Sequence, residues 1–411
     1  MKLKKVESKS KTIDQYRSHM SEKHLEEIQN LSKELQDMKV LHLNATSYGG
    51  GVAEMLYSLV PLMNDVGIDT DWRVMNADDE FFDITKSFHN ALQGENVELT
   101  EDIKQKYLET NKKNAEGLDE NYDVVVLHDP QPLGMVKFLR EKYPDTKFVW
   151  RCHIDLTDSN EDHQEFTKEY IRMNDAAIFS REQYNNGFFN GGSKIIHPSI
   201  DPLSEKNRDL DVDEIGDIME KFGDEVDFEK PIVTQVSRFD PWKDPLGVIT
   251  SYKKAKKEIP DLQLILIGSL ADDDPEGVEV YENVCEVAKD DPDIHVLKGL
   301  SDLEVNAFQR ISDVVLQKSK REGFGLTVSE ALWKGTPVIG GKAGGIPLQV
   351  KDEELLVENC EECARNIVKL FREKDKIEDG SEFTNHVREN FLVTRHLLDY
   401  LKLFKDLKES E

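Results

Sequence analysis

Lys39-Val40-Leu41-His42-Leu43-Asn44-Ala45-Thr46-Ser47-Tyr48-Gly49-Gly50-Gly51-Val52-Ala53-Glu54 reads as a short apolar strand, a glycine loop and the start of a helix that runs to about Asn64. Outward from it the same alternation continues. Further strands are expected at Asp123–His128, Lys147–His153 and Ala176–Ser180, with helical stretches between them. The polar segment Pro198–Gly223 follows, and its first part reads as a linker. A second series then begins. Its strands are expected at Pro231–Ser237, Leu262–Gly268, Asp293–Lys298, Asp313–Gln317 and Pro337–Ile339, with helices over Pro245–Glu258, Glu276–Lys289 and Asp302–Arg310. The chain closes in one helical tail, about Glu382–Lys408. Toward the N-terminus, Leu25, Ile28, Leu31 and Leu35 are spaced as on a surface helix within the polar residues 1–38. Strands alternating with helices imply parallel sheets with crossovers. The expected fold is therefore α/β, with two Rossmann-like domains over residues 1–205 and 206–380 and a C-terminal helix over 381–411. Ligands of such sheets bind beyond the carboxyl ends of the strands, and the cleft between two facing domains is the expected site.

Composition narrows the class of function. The 411 residues carry 53 Lys and Arg against 82 Asp and Glu, a formal net charge of −29. Such a chain is a poor partner for nucleic acid or for an anionic membrane. No apolar run reaches the roughly 18 residues of a membrane-spanning helix, and the N-terminal lysines precede no apolar stretch of a secretory signal. Four cysteines make no disulfide framework, so a reducing cytoplasm is the expected location. Cys360 and Cys363 have C-x-x-C spacing, but they fall in a helical pattern with no partner pair and no nearby His.

The segment with most chemical content is Arg321-Glu322-Gly323-Phe324-Gly325-Leu326-Thr327-Val328-Ser329-Glu330. Gly323 and Gly325 flank Phe324 just before a helix starting near Leu326. A helix N-terminus offers unpaired N–H groups and partial positive charge, and glycines let a phosphate approach them. Glu322 would face a ligand from the loop and Glu330 from two to three turns into the helix, so the pair can hold two ends of one long ligand. The same spacing also fits two surface glutamates in an acidic chain. Ser237-Arg238-Phe239-Asp240-Pro241-Trp242-Lys243-Asp244 directly follows a strand. Arg238 and Lys243 can neutralise a diphosphate, one bidentately and one as a point charge, or stand as two solvated basic residues. The loop at Gly49 and Gly50 is neither a Walker loop nor a G-x-G-x-x-G fingerprint, yet it can cradle a phosphate. His153 ends an apolar strand in Trp150-Arg151-Cys152-His153-Ile154-Asp155. There it can meet a sugar hydroxyl or a developing charge, or bond backbone within the core. Leu127-His128-Asp129-Pro130-Gln131-Pro132 sits similarly after a strand. The acidic run Asp272-Asp273-Asp274-Pro275-Glu276 reads as the cap of the following helix rather than a metal site.

In combination these segments resemble family 4 glycosyltransferases. Glu322 and Glu330 in EGFGLTVSEAL match the E-x7-E motif of that family, and SRFDPWKD matches its Arg/Lys diphosphate site. The closer resemblance is to the trehalose glycosyltransferring synthases. It is carried by VLHLNATSYGGGVAEML, LHDPQPLGM, WRCHIDLT, HPSIDPLSEKN, TQVSRFDPWKDP, DDDPEG, EVNAFQR and REGFGLTVSEALWKGTPVIGGKAGGI, from residue 40 to about 346. The resemblance implies a GT-B fold whose C-terminal helix returns to the N-terminal domain. It also implies reversible, retaining transfer of glucose from a nucleoside-diphosphate glucose, UDP- or ADP-glucose, to free glucose, giving α,α-trehalose. By the same resemblance Glu330 would hold the ribose diol, and Arg238 and Lys243 the diphosphate, next to Ser237. Glu322 and the backbone at Gly323, Phe324, Gly325 and Leu326 would hold the donor glucose. Gly49 and Gly50 would approach the phosphates or the acceptor, His153 and Asp155 would line the sugar site, and the base would stack near Val296 and Leu297. Asn44, His128, Asp129 and Gln131 are the implied acceptor contacts. The donor motifs themselves contain no D-x-D metal signature, so the basic pair is expected to stabilise the leaving diphosphate, with no tightly bound cofactor and Mg²⁺ only as a companion of the nucleotide. A homodimer is compatible with all of this. Two departures stand out. The segment after Leu297, KGLSDLEVNAF, is short, and PLQVKDEELLVENC replaces the D-G-x-x-G-F-L-V turn of the family after Ile346. A trehalose phosphorylase using inorganic phosphate, or a non-catalytic nucleotide-sugar-binding regulator, would carry many of the same residues.

Overall fold

Burial on both faces marks the strands. In the computed structural model, which describes residues 2–48, 50–269, 275–373 and 380–410, the strand Lys39–Asn44 is buried from Val40 to Asn44. A strand covered by helices on both sides has this pattern. The chain divides into two units, Met1–Ser199 with Val393–Glu411, and Ile200–Leu392.

The first unit holds β1 (Lys4–Lys5), β2 (Lys39–Asn44), β3 (Asp69–Val74), β4 (Val124–His128), β5 (Lys147–Arg151), β6 (Ala176–Phe179) and β7 (Lys194–Ile195), in the order β1-β3-β2-β4-β5-β6-β7. The neighbours from β3 to β7 are parallel, and only the edge strand β1 runs antiparallel. The order reverses between β2 and β4, which is the switch point of a doubly wound sheet. On one side Leu41, Leu43, Val125, Leu127 and Trp150 pack with Phe81, Phe88 and Tyr107. Strand β3, Asp-Thr-Asp-Trp-Arg-Val, carries too little apolar text to be read as a strand. Its polar residues find partners inside the fold: Arg73 pairs with Asp71 at 3.1 Å and Glu120 at 2.7 Å, and the Asn64 carboxamide bonds both backbone groups of Thr70 at 2.9 Å.

The helix Val393–Glu409 belongs to this unit and lies on the helix Glu22–Glu34. Lys402 meets Glu27 at 2.9 Å, and Lys405 meets Glu34 at 2.7 Å. Leu25, Ile28, Leu31 and Leu35 are therefore buried. The expected single tail helix is in fact two helices, Ser381–Asn390 and Val393–Glu409. The break falls at Phe391–Leu392, where the Phe391 carbonyl accepts the Ile200 N–H at 2.8 Å and the chain leaves the second unit.

The second unit holds β8 (Ile232–Val236), β9 (Gln263–Gly268), β10 (Ile294–Lys298), β11 (Val314–Gln317), β12 (Val338–Gly341) and β13 (Leu356–Val357). They form one parallel sheet in the order β10-β9-β8-β11-β12-β13, with its switch point between β8 and β11. Val233, Leu264, Leu266, Val315, Leu316 and Ile339 form its core with the helices around them. The polar stretch before β8 contains the helix Val212–Phe222, started by a capping box between Asp211 and Glu214. The acidic residues Asp272, Asp273 and Asp274 lie outside the described residues.

Candidate active site

In the second unit two loops meet at the carboxyl side of the switch point. One leaves β8 through Ser237 and Arg238, and the other leaves β11 through Lys318, Ser319 and Glu322. The Lys243 ammonium stands 2.6 Å from the Glu322 carboxylate. The same carboxylate oxygen accepts from the Ser319 hydroxyl at 3.2 Å and from the Gln317 carboxamide at 3.4 Å. Lys243 is held from behind, since its carbonyl accepts from the Gln235 carboxamide at 2.8 Å. Asp244 follows in a left-handed conformation, φ 53°, and its buried carboxylate binds Lys318 and, at 2.8 Å, Lys320. Arg238 is exposed and 3.4 Å from Asp240, so the two basic residues have different settings.

The Glu322 loop is set by glycines. Gly325, at φ 83°, caps the helix Leu326–Trp333. A Cβ on Gly344, at φ 51°, would lie 1.7 Å from the Glu322 carbonyl oxygen, and one on Gly345 would press into Phe324. Only glycine lets the loop after β12 close on Glu322-Gly323-Phe324. Glu330 is buried one turn into the helix, not the expected two to three, because the helix begins only at Leu326. Its carboxylate accepts from the Gln309 carboxamide at 3.3 Å and stands 3.9 Å from the Lys206 ammonium. Val296 and Leu297 point to opposite faces of β10, Val296 partly buried and Leu297 in the core.

In the first unit the candidates collect at the carboxyl ends of β2, β4 and β5. Gly49 lies outside the described residues, while Gly50, at φ 95°, caps the helix Gly51–Asp65. Asn44 is a brace: its side-chain Oδ1 accepts from the Trp72 indole at 2.8 Å, and its Nδ2 donates to the Thr46 carbonyl at 2.6 Å. Asp129, at φ 63°, accepts the His153 backbone N–H at 2.8 Å, and its own carbonyl accepts the Trp150 indole at 3.0 Å. Burial pushes the Asp129 carboxyl up to about 7, against the opposing pull of the His153 N–H and the Arg151 charge. His128 stands between two histidines, 2.9 Å from His42 on one side and 2.9 Å from His153 on the other. Both of its ring nitrogens are thereby engaged with neighbouring rings. Burial lowers all three rings, His42 to about 3, and the Arg151 charge adds to this at His128 and His153. Asp155 turns back on Thr157, accepting its N–H at 3.0 Å and its hydroxyl at 2.6 Å. Gln131 is partly buried in the turn after β4.

Residues 42–186 match the family described as trehalose synthase, N-terminal domain, and residues 219–388 match glycosyl transferases group 1. A trehalose synthase of Thermococcus litoralis is 46% identical over 408 residues, covering 97% of this chain and 98% of that one. The chain belongs to the trehalose synthase family. It is a trehalose-related glycosyltransferase with two Rossmann-like units of GT-B class. A trehalose phosphorylase of Pleurotus pulmonarius is 30% identical over 388 residues, covering 82% of this chain and 52% of that one. The solved structure of the trehalose-6-phosphate synthase OtsA matches with a TM-score of 0.73 at 14% identity, covering 90% of this chain and 99% of that one, a likeness of fold.

Several residues around the candidate site escape a reading of motifs alone. Gln317 and Ser319, on Glu322, and Gln309, on Glu330, are ordinary polar residues near ordinary strands and helices. Lys206 sits inside HPSIDPLSEKN, a segment noticed only for its resemblance. His42 had one usable signal, a lone ionisable residue inside the apolar run Val40–Leu43.

Proposed function

We propose that the protein transfers glucose from UDP- or ADP-glucose to glucose, reversibly and with retention, forming α,α-trehalose. The observation that carries this reading is the 2.6 Å approach of Lys243 to Glu322, which joins the two donor motifs at one switch point. An ammonium beside a carboxylate suits a ligand with a phosphate at one end and sugar hydroxyls at the next. Arg238, exposed on the same loop, adds the second cation. Glu330 takes the ribose diol, and glucose lies over Gly323, Phe324 and Gly325.

The reaction proceeds by front-face displacement. The bond from the anomeric carbon to the phosphate oxygen breaks, and the acceptor oxygen bonds the same face. The acceptor proton passes to the departing phosphate oxygen, whose charge Lys243 and Arg238 hold. A trapped covalent glucosyl-enzyme would rule out this route. A second reading, phosphorolysis of trehalose, is favoured by the 30% identity to a trehalose phosphorylase. The test is to incubate purified protein with trehalose and UDP or ADP, and separately with trehalose and phosphate. Formation of nucleoside-diphosphate glucose and glucose is the expected outcome. Phosphate-dependent glucose 1-phosphate would establish the phosphorylase, and binding without turnover would leave a regulator.

A further inference from the structure

Strands β8 and β11 lie side by side, but their connections diverge. β8 leads to β9 on one side of the sheet order, and β11 leads to β12 on the other. Right-handed crossovers send the two connections to opposite faces, so a crevice opens between the loops. Lys243 stands on one loop and Glu322 on the other, yet their charged ends are 2.6 Å apart. The contacts that hold the loops at this spacing converge on Asp244.

Asp244 is the N-cap of the helix Pro245–Ala255. An aspartate there ordinarily turns its carboxylate onto the first N–H groups of its own helix. Here the left-handed backbone, φ 53° and ψ 47°, turns it away, and the side chain makes no capping hydrogen bond. Both oxygens go instead to the loop after β11. One binds the Lys318 ammonium, and the other binds Lys320 at 2.8 Å. Lys318 and Asp244 are both buried, so losing either one strands the charge of the other. The first turn of the helix makes room for the carboxylate at Gly247, where a Cβ would overlap it. Two contacts run beside the clamp. The Lys320 N–H donates to the Trp242 carbonyl at 2.7 Å, and the Arg321 guanidinium lies 4.5 Å from the centre of the Trp242 ring. The clamp adjoins both ends of the pair. Asp244 follows Lys243 in the chain, while Lys318 and Lys320 flank Ser319, whose hydroxyl donates to Glu322 at 3.2 Å.

We propose that Asp244 is a positioning residue: through Lys318 and Lys320 it clamps the β11 loop to the β8 loop and sets the spacing of Lys243 and Glu322 before a donor binds. This rests on the reading of those two residues as the donor site. Asp244→Asn alone leaves the buried Lys318 charge without its counter-ion and is expected to lower the melting temperature, as breaking any buried pair does. The deciding variant is Asp244→Asn with Lys318→Met, which removes both charges at little change in volume. Its melting temperature is expected to return toward that of the unmodified protein. In its crystal structure without ligand, the Lys243 ammonium is expected beyond about 4 Å from Glu322, outside ion-pair reach. The KM for the nucleotide sugar is expected to rise about tenfold, the equivalent of one charge-assisted hydrogen bond, with the KM for glucose unchanged. A spacing that stays at 2.6 Å in the folded double variant overturns the proposal. A widened spacing with an unchanged nucleotide-sugar KM would instead remove Lys243 and Glu322 from the donor site and leave the clamp standing.

Discussion

At the residue scale, the proposed donor site rests on single charged contacts. A charge-assisted hydrogen bond contributes about 1.5–3 kcal/mol, which corresponds to about ten- to hundredfold in rate. Lys243→Ala is expected to lower kcat by that factor, read from initial rates of trehalose formation. Part of its effect arises because Glu322 then loses the ammonium 2.6 Å from its carboxylate. Glu330→Ala is expected to raise the KM for the nucleotide sugar about tenfold or more, and a KM that stays put would remove Glu330 from the ribose. Lys206→Met should shift that KM in the same direction by less, because its ammonium, 3.9 Å away, orients the Glu330 carboxylate rather than replacing it. These glutamates and basic residues were legible because the proposed chemistry calls for those residue types at that spacing. Gln309, Gln317 and Ser319 were not, because a neutral polar side chain has no signature until the fold brings it to a carboxylate.

At the element scale, the site depends on how closely two loops approach. Gly344→Ala would place a methyl group 1.7 Å from the Glu322 carbonyl at a positive φ. The left-handed backbone alone costs about 1–2 kcal/mol for an L-residue, and the clash adds to it. The expected outcome is a loss above about 2 kcal/mol in denaturant unfolding, with a raised nucleotide-sugar KM. Gly192→Ala is the control, since its Cβ would meet nothing within 4 Å, and it should be nearly neutral. Elements with dense apolar text, such as β4, β8 and β9, could be read from periodicity. Strand β3 could not, because Asp71 and Arg73 look like loop residues until they are paired with each other inside the sheet.

At the scale of the whole molecule, acid should unfold the protein through its buried histidines. Rings held below their ordinary value refuse the proton that the unfolded chain accepts, so stability falls as the pH drops below about 6.5. For His42, lowered to about 3, this loss reaches about 2 kcal/mol at pH 5. Asp129 opposes it: its carboxyl, raised to about 7, binds a proton in the folded state between about pH 4 and 7 and adds stability there. Thermal melting should therefore drop from pH 7.5 to pH 5, and more steeply in Asp129→Asn. Removal of Val393–Glu411 should also unfold the first unit, because Leu397, Tyr400, Leu401 and Phe404 are buried there. Burial of one large apolar side chain contributes about 1.5–3 kcal/mol. Limited proteolysis of the truncated chain would report it as rapid loss of the first unit.

The sequence by itself determined the class of fold, since alternating apolar strands and amphipathic helices bury their faces in few ways. It also carried the glycosyltransferase motifs, with Glu322 and Glu330 in E-x7-E and Arg238 and Lys243 in SRFDPWKD. Tertiary structure alone decided which groups touch. It paired Lys243 with Glu322, gave Glu330 its neighbours and carried the chain back into the first unit at Val393. It also set His42, His128 and His153 in one row. The physical reason is that strand order and register join residues far apart in the chain, and no local pattern encodes them.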